Sequence, residues 1–322
     1  MITKHTTTGA SSLGNFVNTY VGKSTLRYNV TPDIHTLEYY KYCTRLLSQC
    51  LETFPHPLNV IFGRDEECTY MDFKDPNPVL RVDLQPEHTL VKEGGRSVSN
   101  VIKGGVKTLD GPDNYLVRIQ DFDYYNTLDH VFEYSIPNLV NMKSSHKTKE
   151  YASKCSYIAP VIYEDVNFAS HRRFQTFTLF SNNPCPRRAE FSKSTKVTNI
   201  SECFTKEQLR TTYFNSKILV NIHQTDHHHT FEELRVLPAL CNGVLVLSED
   251  VPLKEHIPYS DSILWAPYST LQDNLIEVEQ NFKEYREQIF TDELRNKLQS
   301  LGTQNIETIN NILWQNKQTE SN

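Results

Sequence analysis

Nowhere in the 322 residues do about 18 apolar side chains run together, and the opening MITKHTTTGASSLGNF holds no continuous apolar segment. Neither a membrane-spanning helix nor a secretory leader is therefore expected. The seven cysteines (43, 50, 68, 155, 185, 203 and 241) form no CxxC pair and are odd in number, which reads as reduced thiols rather than a disulfide framework. A cytoplasmic location follows as the expectation. No block of lysine or arginine is present that could neutralise a run of phosphates, and the net charge is −6, so nucleic acid is not an expected partner. Long Gly/Ser or Pro-rich tracts are missing too. With hydrophobic residues at 38% and charged residues at 22%, the composition is that of an ordered globular chain, and its length favours two domains of about 150 residues.

What is present, after about residue 165, is a regular alternation. Short apolar runs at 174–180, 197–200, 218–222, 244–247 and 263–265 have the length of buried strands, and segments with helical signals separate most of them. Thr205 with Gln208 and Thr230 with Glu233 fit the capping box that opens a helix, and Gly243 is placed to close the second of these helices. Continuous apolarity at 244–247 suits a parallel strand covered on both faces. Right-handed crossovers then give a doubly wound α/β sheet. Leu271, Leu275, Val278, Phe282, Tyr285 and Ile289 repeat at spacings of four and three, the stripe of an amphipathic helix. The first half is less regular: a helix is predicted over 35–54, and strands at 58–62, 79–83, 115–119 and around 157–161. Lys92–Gly105, with two Gly-Gly pairs, reads as a loop or lid. The domains are accordingly drawn at 1–164 and 165–322, the latter including the C-terminal helices.

In open parallel sheets, ligands gather beyond the carboxyl ends of the strands, where helix N-termini offer free N–H groups. That rule selects Asn182, Arg187 and Arg188 after the first strand of the second half, His223 to Thr230 after the third, and Glu249 after the fourth. Guanidinium groups pair with diphosphate oxygens, and carboxylates at Glu232, Glu233 and Glu249 accept hydrogen bonds from sugar or ribose hydroxyls. The same segment, Leu219-Val220-Asn221-Ile222-His223 followed by Phe231-Glu232, Arg235, Ala239-Leu240, Gly243 and Ser248-Glu249, resembles the C-terminal half of GT-B glycosyltransferases of the group 1 and spore-maturation type. FTLFSNNPCPRRAEF is similar to the strand and Arg-Arg pair that open that half.

The resemblance implies two Rossmann-like domains facing each other across a cleft. A UDP- or GDP-sugar donor would be held by the C-terminal one through Asn182, Arg187, Arg188, His223, Glu232, Glu233, Arg235 and Glu249. A glycan or other hydroxyl acceptor would lie on the N-terminal one, and neither a cofactor nor an obligatory metal is implied. Pro238 stands where many relatives have a glutamate, which puts that ribose contact in question and, by removing a helix hydrogen bond, predicts a kink or restart.

Other readings stay open beside this one. Asp226, His227, His228 and His229 either border a ligand pocket, bind a metal or are solvated; His223 and His227 have i, i+4 spacing but lie in a strand-to-loop segment. Asp121-Phe122-Asp123 is a DxD, the pattern by which GT-A enzymes bridge a cation to the donor, and defines a metal-dependent alternative. Glu87 and His88, after the 79–83 strand, are candidate bases for an acceptor hydroxyl; equally, Pro86 and Glu87 fit a helix start. A catalytically silent sugar- or nucleotide-binding module is a further alternative, motivated by Pro238.

Overall fold

Gly22, at φ +59°, turns the chain from strand β1 (Phe16–Val21) into its antiparallel partner β2 (Ser24–Asn29). A Cβ at Gly22 would meet the carbonyl oxygens of Leu51 and Glu52 at 3.0 Å, so the hairpin tip lies against the end of the next helix and only glycine fits. The computed structural model describes residues 16–30, 37–65, 73–92, 106–109, 115–119, 121–163, 165–169, 175–179, 186–200 and 205–319.

Helix α1 (Leu37–Thr53) buries Cys43, Leu46, Leu47, Cys50 and Leu51, a helical stripe that lies in the core, while Lys41, Arg45, Gln49 and Glu52 remain exposed. Strands β3 (Asn59–Phe62) and β4 (Val79–Gln85) follow. Next comes a small antiparallel sheet of β5 (Leu90–Lys92), β6 (Val106–Leu109) and β7 (Tyr115–Val117), in the order β5-β7-β6. Helix α2 (Phe122–Thr127), strand β8 (His130–Glu133), helices α3 (Ile136–Ser144) and α4 (Lys149–Ser153) and strand β9 (Cys155–Tyr157) complete this half. Its main sheet has the order β1-β2-β3-β4-β8-β9 and is parallel from β2 onward.

The second sheet is parallel throughout. It holds β10 (Gln175–Leu179), β11 (Thr198–Ile200), β12 (Ser216–Asn221), β13 (Leu245–Glu249) and β14 (Leu264–Ala266), in the order β11-β10-β12-β13-β14. Helices α5 (Pro186–Ser194), α6 (Lys206–Asn215) and α7 (Glu233–Cys241) connect the first four of these strands. From β10 the chain goes out to β11 on one side and then returns to β12 on the other. The order therefore reverses between β10 and β12, the topological switch point at which such sheets leave a crevice. The mixed α/β architecture with two parallel-dominated sheets is the one expected.

Several local expectations are corrected. The amphipathic stripe from Leu271 to Ile289 is carried by two helices, α8 (Leu271–Gln280) and α9 (Phe282–Ile289), parted at Asn281. The strand expected at 115–119 runs over Tyr115–Val117 and belongs to the small sheet. Helix α7 runs through Pro238 without a break, and Gly243, at φ +67°, follows its end as anticipated. The Thr205–Gln208 capping box is formed, whereas Thr230–Glu233 is not: the N-cap of α7 is Glu232. Most of the Lys92–Gly105 loop lies outside the described residues.

Helix α10 (Asp292–Thr319) returns from the second sheet to lie on α1. Asn305, buried, ties it down: Nδ2 donates to Tyr42 Oη and the Ala159 carbonyl, and Oδ1 accepts from Ala159 N, each at 2.8 Å. One apolar core joins Leu47 and Phe62 of the first half to Val246 and Leu247 of the second. Among the described residues no helix is long and apolar enough to cross a membrane.

Candidate active site

The junction of the two sheets is built around strand ends. Strand β4 ends at Gln85 and delivers Glu87 and His88; β12 ends at Asn221 and delivers the loop from Ile222 to Thr230; β13 ends at Glu249. The histidine loop is fastened to the small sheet by backbone bonds, Lys92 N to His227 O at 2.8 Å and His229 N to Leu90 O at 3.1 Å, while Thr230 Oγ1 accepts from Leu90 N and donates to Asn138 Oδ1. Thr230 is thus committed to joining the halves, which is why it does not cap α7.

Across this seam His88 Nε2 lies 3.1 Å from Glu232 Oε1. Arg235 Nε approaches the other carboxylate oxygen at 3.8 Å, one helical turn on. Burial alone would raise the Glu232 carboxyl; Arg235, His88, Arg188 and His223 outweigh it and hold it at about 2, ionised at neutral pH. Burial pushes the His88 imidazole below its ordinary value, against the pull of Glu232 and reinforced by Arg235, Arg188 and Arg118. His88 is then neutral at pH 7, so the arginines supply the charge that keeps Glu232 ionised. Nε2 and Oε1 meet at ion-pair distance without hydrogen-bond alignment, and the buried Nδ1 makes no hydrogen bond.

A second knot lies at the switch point. Arg187 makes a bidentate pair with Glu249 at 2.7 and 2.5 Å and sits 3.7 Å over the Tyr268 ring, whose hydroxyl donates to the Arg187 carbonyl. Glu249 also accepts from His223 N at 3.1 Å, and His223 Nε2 contacts the Asp250 carbonyl. Arg188, buried, donates from Nε to the Ile222 carbonyl. His223 acts electrostatically on both Glu232 and Glu249, so Arg187, Arg188, His223, Glu232, Arg235 and Glu249 occupy one continuous region with His88. Burial is the first cause lowering His223, to about 4, and His228, to about 3; His227 and His229 are lowered as well. The four histidines of the loop are therefore polar and uncharged at neutral pH.

Glu233 does something other than face a donor. It is fully buried; Oε2 accepts from Tyr157 Oη at 2.5 Å and Tyr259 Oη at 2.6 Å, and Oε1 accepts from Ile136 N at 3.0 Å. Both oxygens are occupied, which corrects the donor-binding and capping expectations alike: Glu233 bolts the start of α7 to β9 and α3. Burial pushes its carboxyl up to about 7. Glu87 lies 3.6 Å from Arg118, which also contacts His228 Nε2 at 3.4 Å. Asp121, exposed, pairs with Arg64 at 3.0 Å, and Asp123 lies in the first turn of α2. Asn182 lies outside the described residues.

Arg118, Tyr157, Tyr259 and Asn138 were not singled out from the sequence. For Arg118 a signal existed, a charged residue closing the apolar Tyr115–Val117 run; the tyrosines carried none.

No protein-family model matches the chain. A curated protein of Acanthamoeba polyphaga mimivirus, "Uncharacterized protein R358", is 28% identical over 166 residues, covering 49% of this chain and 59% of that protein. Among solved structures, TarM aligns with a TM-score of 0.39 at 10% identity over 84% of this chain and 54% of its own. The catalytic domain of starch synthase IV from Arabidopsis thaliana, bound to ADP and acarbose, aligns with a TM-score of 0.44 at 8% identity over 94% and 84%. The chain spans less than two thirds of the viral protein and of TarM.

Proposed function

We propose that the protein is a glycosyltransferase that moves a sugar from a UDP- or GDP-sugar to an acceptor hydroxyl without an obligatory metal. The observation that carries this reading is the His88–Glu232 pair across the seam of the two sheets, with a neutral imidazole whose Nδ1 is unpartnered and a carboxylate held ionised beside it. In this reading the acceptor oxygen bonds to the anomeric carbon as the bond from that carbon to the diphosphate oxygen breaks. The hydroxyl proton passes to His88 Nδ1, and Glu232 stabilises the imidazolium that forms. Arg188 and Arg235 lie beside Glu232 and offer positive charge to the departing diphosphate.

In this reading the donor lies at the switch point, over His223 and the Arg187–Glu249 pair. Nδ1 is closed off from solvent when the halves are pressed together, so substrate entry parts the seam. Release of nucleoside diphosphate from a panel of UDP- and GDP-sugars, with and without simple glycan acceptors, tests the reading. Binding of a nucleotide sugar with no release under any condition identifies a silent binding module instead.

A further inference from the structure

Away from the seam, a cavity of about 530 Å³ opens between the β1–β2 hairpin and the outer face of α1. We propose that it is a binding groove for a neutral oligosaccharide, distinct from the site at the junction of the sheets. Its volume lies within the range of small-molecule pockets, and its walls are side chains rather than a packed interface.

The helix face explains the shape. Thr44 and Ser48, one turn apart and half-buried, give a floor of short hydroxylated side chains, and the longer Lys41, Arg45, Gln49 and Glu52 stand beside them. The opposite wall is Thr19, Leu26 and Tyr28 of the hairpin. From Lys41 to Glu52 the helix rises about 16 Å at 1.5 Å per residue, longer than a single sugar ring.

The chemistry of the lining selects the ligand. Charge is nearly balanced: Lys41 is paired with Glu38 at 3.0 Å, the Arg45 guanidinium lies 5.6 Å from the centre of the Tyr42 ring, and Glu52 adds a negative group. An anion would find no concentrated positive field. Hydroxyls and an amide alternate with the amphipathic face of Tyr28, which matches a ligand carrying many hydroxyls around apolar ring faces. Strand β2 lies two strands from β4, about 10 Å across the sheet, so the groove is separate from His88.

The test is calorimetric titration of the full chain with maltotetraose, cellotetraose and mannotetraose, repeated on Ser48→Trp, which fills the floor, on the milder Gln49→Ala, and on Glu232→Gln at the seam. Circular dichroism checks that each variant is folded. The expected result is saturable binding of at least one tetrasaccharide, weakened tenfold or more by Ser48→Trp, weakened less by Gln49→Ala and unchanged in Glu232→Gln. If Ser48→Trp does not fold, Gln49→Ala alone decides, with unchanged affinity counting against the groove. Binding lost only in Glu232→Gln, or no binding of any of the three sugars, overturns the proposal. Because binding is read without turnover, its failure leaves the transfer reaction untouched, and an inactive protein that still binds in the groove leaves this proposal standing.

Discussion

His88 and Glu232, 144 positions apart in the chain and one on each half, meet at 3.1 Å with the imidazole neutral and the carboxylate ionised. In the proposed reaction this pair closes the seam and leaves Nδ1, the ring nitrogen without a hydrogen bond, to take the acceptor proton. Replacing His88 with asparagine removes that acceptor while keeping a polar group of similar reach. Turnover is expected to fall by about 10²- to 10⁴-fold, with the affinity for UDP or GDP unchanged in the same preparation.

Arg187 and Glu249 form a bidentate, largely buried ion pair in the second half. Arg187→Ala leaves the carboxylate buried without its partner, which costs about 3–5 kcal/mol in comparable pairs. Arg187→Lys recovers only part, because an ammonium offers no planar fork. Urea denaturation of the three proteins measures both differences.

The bolt at Glu233 makes a separate stability prediction. Tyr157→Phe removes one donor from a buried carboxylate, expected to cost about 1.5–3 kcal/mol by denaturant midpoint. The loss should grow as pH rises through 7, as more of the carboxylate ionises.

The pH dependence of stability follows from opposing groups. Burial raises Glu233 to about 7 and Glu133 to about 8, so between the ordinary carboxylate range and pH 8 the folded state holds more protons at these two sites and stability falls as pH rises. Burial lowers His223 to about 4, His228 to about 3 and His130 to about 4, so below pH 6.5 the unfolded state holds more protons at the histidines and stability falls as pH drops. Among the described residues Asp83 is raised too, to about 6, and these three carboxylates oppose six lowered histidines, His88, His130, His223, His227, His228 and His229, on the acid side. The melting temperature should therefore peak near neutrality, and Glu233→Gln should flatten the limb above pH 6.5 while leaving the acid limb in place.

Chelation separates the reaction proposed here from its metal-dependent alternative. Asp121 is engaged with Arg64, and Asp123 lies on a helix turn. Turnover should survive EDTA; abolition by EDTA with recovery on adding manganese would transfer the chemistry to Asp121 and Asp123.

How much of this was readable beforehand differs between the halves for physical reasons. Strands β12 and β13 are covered on both faces, and their apolar runs announce them. Strand β8, His130-Val131-Phe132-Glu133, is equally buried but begins and ends in ionisable residues, so no apolar run betrays it. The β1–β2 hairpin is short and half-exposed. At the site, the rule of strand carboxyl ends reached Arg187, His223, Glu249 and His88 because it needs only local order. It could not tell Glu232 from Glu233. One residue along α7 decides which carboxylate faces His88 and which is bolted to Tyr157 and Tyr259, and both tyrosines are distant in sequence.

A double-mutant cycle on turnover of the preferred nucleotide sugar, comparing His88→Asn, Glu232→Gln and the combined variant, bears most directly on the seam pair. If the two side chains act as one unit, the combined variant is expected to be no slower than the worse single variant. Losses that multiply, or a Glu232→Gln variant with unaltered turnover, would contradict it.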